Sequence, residues 1–303
     1  MSVDPGPSGT PSRLRPTAAN TMRGVILMLA AFFLHSLSDV ASKLLSETIH
    51  PLQIAWTRQT GLVAGVIVLI AMKGGGILRT RHPFLQVFRG LLIVASSASY
   101  LFALAYVPIA DAVAVTFVAP FIVIILAALV LGERVGVARW IAVVVGFAGT
   151  LVIIRPGAGI FHPAIFLSLI AGAAFAIRQV ISRYVSGTDP LATTVLYTTL
   201  TAAIFLSLPL PFIWQNPAGS GQLLLMVAAA CLTGTAEFLV MRALDIAEAA
   251  ALSPMIYTIM VWSSLWGLVF FGTFPDAWTL VGTALVIGSG IYTVHLEWRS
   301  RRE

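Results

Sequence analysis

His35-Ser36-Leu37-Ser38-Asp39-Val40-Ala41-Ser42-Lys43-Leu44-Leu45-Ser46 is a polar stretch inside an apolar run, and a relative of it returns as Arg178 to Ser186. Val40, Ser42, Lys43 and Ser46 are matched in order by Val180, Ser182, Arg183 and Ser186. A turn into a Pro-Leu pair follows each copy, Pro51-Leu52 and Pro190-Leu191. The chain reads as two copies of one unit. Its function is expected where the copies meet.

Around this stretch, 58% of the 303 residues are hydrophobic and only 10% charged, against about 25% charged in a soluble domain. The apolar residues fall in runs near the roughly 20 that a helix needs to cross hydrocarbon. No ten-residue alternation of the kind that marks a membrane β-barrel is present. The net charge of +6 comes from cations in short loops, with no basic stripe carrying interleaved aromatics, so no nucleic-acid partner is expected. Cys231 is the single cysteine, which excludes an intramolecular disulfide and any multi-cysteine metal site.

Met1 to Asn20 reads as a disordered tail, rich in Pro, Gly, Ser and Thr. Ten spans are expected thereafter: Met22–Leu45, Pro51–Met72, Phe84–Ala105, Ala110–Leu131, Val137–Ile154, His162–Tyr184, Pro190–Ile213, Gly221–Ala243, Ala249–Phe271 and Ala277–Leu296. The breaks carry Gly and Pro punctuation such as Gly74-Gly75-Gly76, His82-Pro83 and Arg155-Pro156-Gly157. With the N-terminus inside, the cytoplasmic segments hold most of the Lys and Arg, among them Arg79, Arg81, Arg134, Arg139, Arg183 and Arg242, while the outer side has Lys43 and Arg155. Both termini are thus expected in the cytoplasm. Five spans per copy is odd, so the second copy enters from the opposite side. The expected fold is an all-α integral membrane protein of two inverted five-helix repeats, residues 21–157 and 158–297, with a basic tail at 298–303.

Ionisable groups within spans are functional candidates, since each is costly in hydrocarbon. His35, Asp39 and Lys43 form a stripe at steps of four on the first span, with Lys43 reaching the outer surface. Arg58, Arg178 and Glu237 lie on the second, sixth and eighth spans. Counting 1.5 Å per residue puts Asp39 and Arg58 at matched depth, and Arg178 and Glu237 likewise in the other half of the membrane. Two ion pairs are therefore expected, Asp39–Arg58 and Arg178–Glu237. A helix staple and a transport role both fit the first pair. His35, nearest the midplane, is expected to line a cavity, and Arg178 is an alternative holder of a substrate carboxylate.

Pro120 removes one backbone bond and frees the carbonyl of Thr116. The freed group needs a cavity or a neighbouring helix. Tyr100, Trp262 and Trp266 are candidates for covering a substrate side chain. Trp140, Trp214, Trp278 and Trp298 sit at span ends as interface anchors. Gly146, Gly149, Gly282 and Gly290 read as close-packing positions.

Ala110-Asp111-Ala112, Pro120, Leu131-Gly132-Glu133-Arg134, Trp140 and Gly149 resemble the EamA-type branch of the drug/metabolite transporter superfamily. The second half repeats the layout as Ala243-Leu244, Ala247-Glu248-Ala249, Pro254, Gly272 and Gly282, with Thr273 where the Gly-Glu pair would fall. The resemblance implies a ten-helix secondary carrier of small metabolites in a bacterial-type inner membrane, similar to bacterial amino-acid exporters. No His-Glu-x-x-His, cysteine pair, Gly-x-Ser-x-Gly or Gly-x-x-x-x-Gly-Lys motif occurs. The expectation is a carrier and not an enzyme, with no cofactor, no metal and no requirement for a nucleotide-hydrolysing subunit. Its partners are the lipid bilayer and a small-molecule substrate, most simply a hydrophobic or aromatic amino acid. A nucleoside-like or cationic substrate is the alternative, and an intramembrane enzyme is the competing class.

Overall fold

A computed structural model of the chain describes residues 18–73, 80–130, 136–155, 162–185, 189, 191–247 and 252–300. The first half contains α1 (Ala18–Leu45), α2 (Pro51–Lys73), α3 (Pro83–Tyr106), α4 (Ile109–Thr116), α5 (Ala119–Val130) and α6 (Val137–Ile154). The second contains α7 (Ile165–Val185), α8 (Leu191–Ser207), a short α9 (Leu210–Ile213) and α10 (Ser220–Ile246). A 3-10 turn at Ser253–Tyr257, α11 (Thr258–Phe271) and α12 (Ala277–Ser300) complete it. Only helical elements occur among the described residues.

Six segments are long and apolar enough to cross a membrane, taking α4 and the start of α5 together as Ile109–Leu126; Trp140–Ile154, Thr193–Ser207 and Ala277–Thr293 are shorter apolar helices. Several expected bounds move. Residues 18–20, read as tail, already belong to α1, and α12 runs on to Ser300. The seventh expected span is interrupted before Leu210, and the ninth opens as a 3-10 turn around Pro254. The Gly74-Gly75-Gly76 break, the Leu131-Gly132-Glu133-Arg134 motif and residues 1–17 lie outside the described residues.

Pro120 splits the fourth expected span, Ala110–Leu131, in two. Phe117 and Val118 N–H groups turn back to the carbonyls of Ala114 and Val115, at 3.2 Å each, and the ladder resumes as Ile122 donates to Val118. The Thr116 carbonyl that Pro120 cannot serve lies against α7, where a Cβ on Gly172 would come within 3.1 Å of it. A neighbouring helix therefore covers the break.

Most of the packing joins one half to the other, and it is reciprocal. The first helix of each half packs on the third of the other, α1 on α10 and α7 on α3. The second packs on the third in the same way, α2 on α10 and α8 on α3, and the first on the fourth, α1 on α11 and α7 on α4 and α5. The pairs α2–α8, α4–α11 and α6–α12 join equivalent helices. At the α6–α12 crossing a Cβ on Gly149 would stand 2.8 Å from the Gly282 carbonyl, and one on Gly282 2.6 Å from the Gly149 carbonyl, so both backbones need glycine there. Large apolar side chains face outward, including Val144, Phe147 and Leu151 on α6 and Val261, Leu268 and Val269 on α11. These are the surfaces of a multi-pass membrane protein.

The same reciprocity governs the ends of the bundle. At one end Gln53, at the start of α2, exchanges two 2.8 Å hydrogen bonds with the backbone of Gln215, in the segment before α10. At the other, Asp189, before α8, accepts from the Arg81 N–H (3.0 Å), Gln86 Nε2 (2.9 Å) and the Thr80 hydroxyl, at the entry to α3. Burial pushes the Asp189 carboxyl up, but the bonds from Thr80, Arg81 and Gln86, with His82 nearby, outweigh it and hold it below the usual range. Stability from this group is therefore complete above the unfolded value of about 3.9 and is lost as pH falls through the lower folded value. In detergent, Asp189→Asn is expected to melt lower than the parent at neutral pH and to lose less further stability between about pH 5 and pH 2.5. Parallel melting curves over that range would refute the assignment.

Candidate functional site

α1 presents Asp39 to α2 and α3 together. Arg58 Nη1 on α2 donates to Asp39 Oδ1 at 2.7 Å, and the Tyr100 hydroxyl on α3 donates to Asp39 Oδ2 at 2.8 Å. Asp39 is buried, and Arg58 retains 13% of its side-chain surface. Arg58 also donates from Nε to Thr233 Oγ1 on α10 (3.2 Å) and from Nη1 to Ser42 Oγ (3.4 Å). The approach of α10 is possible because α2 has Gly61, where a Cβ would overlap the Ala230 carbonyl at 1.9 Å. Ser38 Oγ lies 2.7 Å from Thr233 Oγ1 and completes the network. Four helices, α1, α2, α3 and α10, thus meet at one charge pair.

Glu237 departs from the expected pairing with Arg178. Its Oε1 lies 3.5 Å from His35 Nε2 across the α1–α10 contact. Arg178 instead lies over the Phe175 ring, 4.7 Å from its centroid, and acts on Glu237 only through space. The physical reason is the packing: α10 lies on α1 and α2, whereas α7 lies on α3, α4 and α5. Arg58 also acts on Glu237 through space. Glu237 thus has ionisable groups of α1, α2 and α7 around it, and 44% of its side-chain surface is accessible.

An aromatic wall stands beside it. Phe33 meets Trp262 edge-on at 5.0 Å, and Trp262 and Trp266 lie 6.4 Å apart at 21°. Trp266 Nε1 donates to Ser36 Oγ at 3.0 Å, which seats α11 on α1. Trp262 Nε1 is buried without a partner among the described residues. Pro120 is not part of this cluster; it acts at the α4–α7 contact. Lys43, expected to reach the outer surface, is partly exposed near the end of α1. Its Nζ donates to the carbonyls of Leu104 and Val107, each at 2.7 Å, and so caps the end of α3.

Reading of the sequence missed Arg89. It is buried in α3 and donates to Ser182 Oγ (3.1 Å), Gln86 Oε1 (3.0 Å) and Thr198 Oγ1 (3.4 Å). All of its partners are neutral, so no nearby acid flagged it; the signal available was an arginine six residues inside a span. An apolar groove of about 300 Å³ between α3 and α8, lined by residues such as Val87, Leu196 and Leu200, is separate from the charged cluster.

Residues 22–155 and again 162–294 match the EamA-like transporter family, so the chain belongs to that family and is a multi-pass membrane transporter. Among relatives, a riboflavin transporter of Vibrio cholerae is 32% identical over 80% of this chain and 83% of that one. An S-adenosylmethionine uptake transporter of Rickettsia prowazekii is 27% identical over 92% and 95%. A pseudopaline exporter of Pseudomonas aeruginosa is 27% identical over 87% and 93%. A crystal structure with 21% identity has the same fold, with a TM-score of 0.65 over 91% of this chain and 98% of that one.

Removing one member of a buried ion pair costs about 3 to 5 kcal/mol, whereas removing both is often far milder. Asp39→Asn and Arg58→Gln are each expected to lower the yield of folded protein, and the double variant to recover most of it. Additive losses measured by size-exclusion of the solubilised protein would show that the two residues act independently.

Proposed function

We propose that the protein is a secondary carrier that exports small amino-acid-type metabolites across a bacterial inner membrane by alternating access between its two halves. The observation that carries this reading is Glu237, a mid-helix carboxyl group with 44% of its side-chain surface accessible, His35 beside it and two guanidinium groups within Coulombic reach. In this reading Glu237 and His35 receive the substrate ammonium, Arg178 faces them across the cavity, and Trp262 and Trp266 cover the apolar part. Asp39, Arg58 and Tyr100 hold α1, α2 and α3 around the site. The boundary is formed by α1, α3, α4, α7, α10 and α11, and Pro120 lets α4 and α5 bend along it. The reciprocal packing supports two inverted repeats of five spans, 21–157 and 158–297, and the Lys and Arg of the loops support both termini in the cytoplasm. The stacked tryptophans equally suit a heteroaromatic ring, which favours as second reading a nucleoside-like or cationic substrate such as the one named for the Rickettsia relative.

Two measurements test the reading. In a Cys231→Ser background, single cysteines at Glu47 and Gly219 are expected to react with an impermeant thiol reagent on intact cells, and one at Gly136 to react only after lysis; the opposite pattern reverses the orientation. In proteoliposomes, counterflow of labelled aromatic and aliphatic amino acids is expected, reduced at least about tenfold in Glu237→Gln, since a charged hydrogen bond is lost. If no amino acid exchanges while S-adenosylmethionine or riboflavin does, the substrate assignment passes to the second reading.

A further inference from the structure

The ion pair of Asp39 and Arg58 is incompletely formed for a pair that only joins helices. A guanidinium and a carboxylate usually meet through two parallel N–H···O bonds. Here Asp39 takes a single N–H of Arg58 through Oδ1, because Tyr100 occupies Oδ2. Ser42 and Thr233 take the other Nη1 proton and the Nε proton. Nη2 is left with no acceptor among the described residues. It also keeps some accessible surface, as part of a side chain that is 13% exposed. Three hydrogen bonds, to Asp39, Ser42 and Thr233, therefore fix the plane of a guanidinium whose remaining edge is free and lies within Coulombic reach of Glu237.

Charge balance narrows what this edge meets. Asp39 and Glu237 offset Arg58 and Arg178, while buried Arg89, whose partners are all neutral, leaves the interior with one positive charge in excess, which favours a substrate that carries an anionic group. An anionic group would meet the free guanidinium edge, and an ammonium would meet Glu237.

We propose that Arg58 is the carboxylate anchor of the substrate site, with its Nη2 edge as the contact and Asp39, Ser42, Thr233 and Tyr100 as the groups that position it. This rests on the reading of the protein as a carrier of amino-acid-type metabolites and assigns that substrate's second pole. Tyr100 is then a positioning residue. It keeps Asp39 from rotating to close both edges of the guanidinium.

The test compares ligands that differ only at the carboxylate. Binding of L-phenylalanine, L-tryptophan and L-methionine, and of their amides, is measured by calorimetry on the purified full chain. The parent is expected to prefer each acid over its amide by on the order of ten- to a hundredfold, the effect of a hydrogen bond to a charged group. The preference is expected to vanish in the charge-balanced double variant Asp39→Asn/Arg58→Gln. It is expected to shrink in Arg58→Lys, which keeps the charge but not the fork, and in Tyr100→Phe, which keeps Arg58 itself. These two variants preserve the ion pair and report even if the double variant fails to fold. A preference that survives in Arg58→Lys and Tyr100→Phe at parental size overturns the anchor and leaves the carrier reading standing. If the parent binds acid and amide equally, the anchor falls while an amine site remains. If it binds none of the six, the amino-acid reading falls and the anchor with it.

Discussion

Hydrocarbon supplies no hydrogen bonds, and that constraint explains both what is regular in this protein and where it departs from regularity. Helices satisfy their own backbones, so only helical elements occur among the described residues. Where a backbone group is freed, another helix covers it: α7 closes on the Thr116 carbonyl at Gly172. Where a helix ends within the protein, a side chain does so, as Lys43 does for α3. The polar residues that remain serve these purposes or gather in the interior.

The gathering is unequal. Around Arg89 every hydrogen-bond partner is neutral, Ser182 for Nε and Gln86 and Thr198 for Nη1, which makes a joint between α3, α7 and α8. Around Arg58 the corresponding joint of α1, α2 and α10 includes a carboxylate and leaves an edge open. The two clusters occupy equivalent positions in the reciprocal packing, yet the Arg58 joint alone of the two includes a carboxylate and has Glu237 within Coulombic reach. Duplication supplied the frame, and divergence of a few side chains made one side of it polar in a usable way.

That frame also explains how a carrier can be both stable and mobile. Contacts between equivalent helices, α6 with α12 through Gly149 and Gly282 above all, bring backbone to backbone and leave little room for adjustment. The contacts around the cavity are long side chains, aromatic edges and single hydrogen bonds. Such contacts can be exchanged one at a time at small cost, whereas a glycine crossing cannot be.

Much of this was readable in one dimension. The duplication, the membrane class and the Asp39–Arg58 pair follow from composition, spacing and depth, because helical rise is constant and neither charge is tolerable alone. The break at Pro120 was readable because proline lacks an N–H. The pairing of Glu237 was not, since residues 35 and 237 meet only through the crossing of α1 and α10, and helical depth says nothing about which neighbour lies at that depth. Arg89 could be read as an arginine inside a span, but its partners could not, since they are neutral, come from two other helices and have no signature in sequence. The sequence by itself determined which groups had to leave the lipid and at what level; only tertiary structure decided which partner each found, because that depends on lateral packing between helices far apart in the chain.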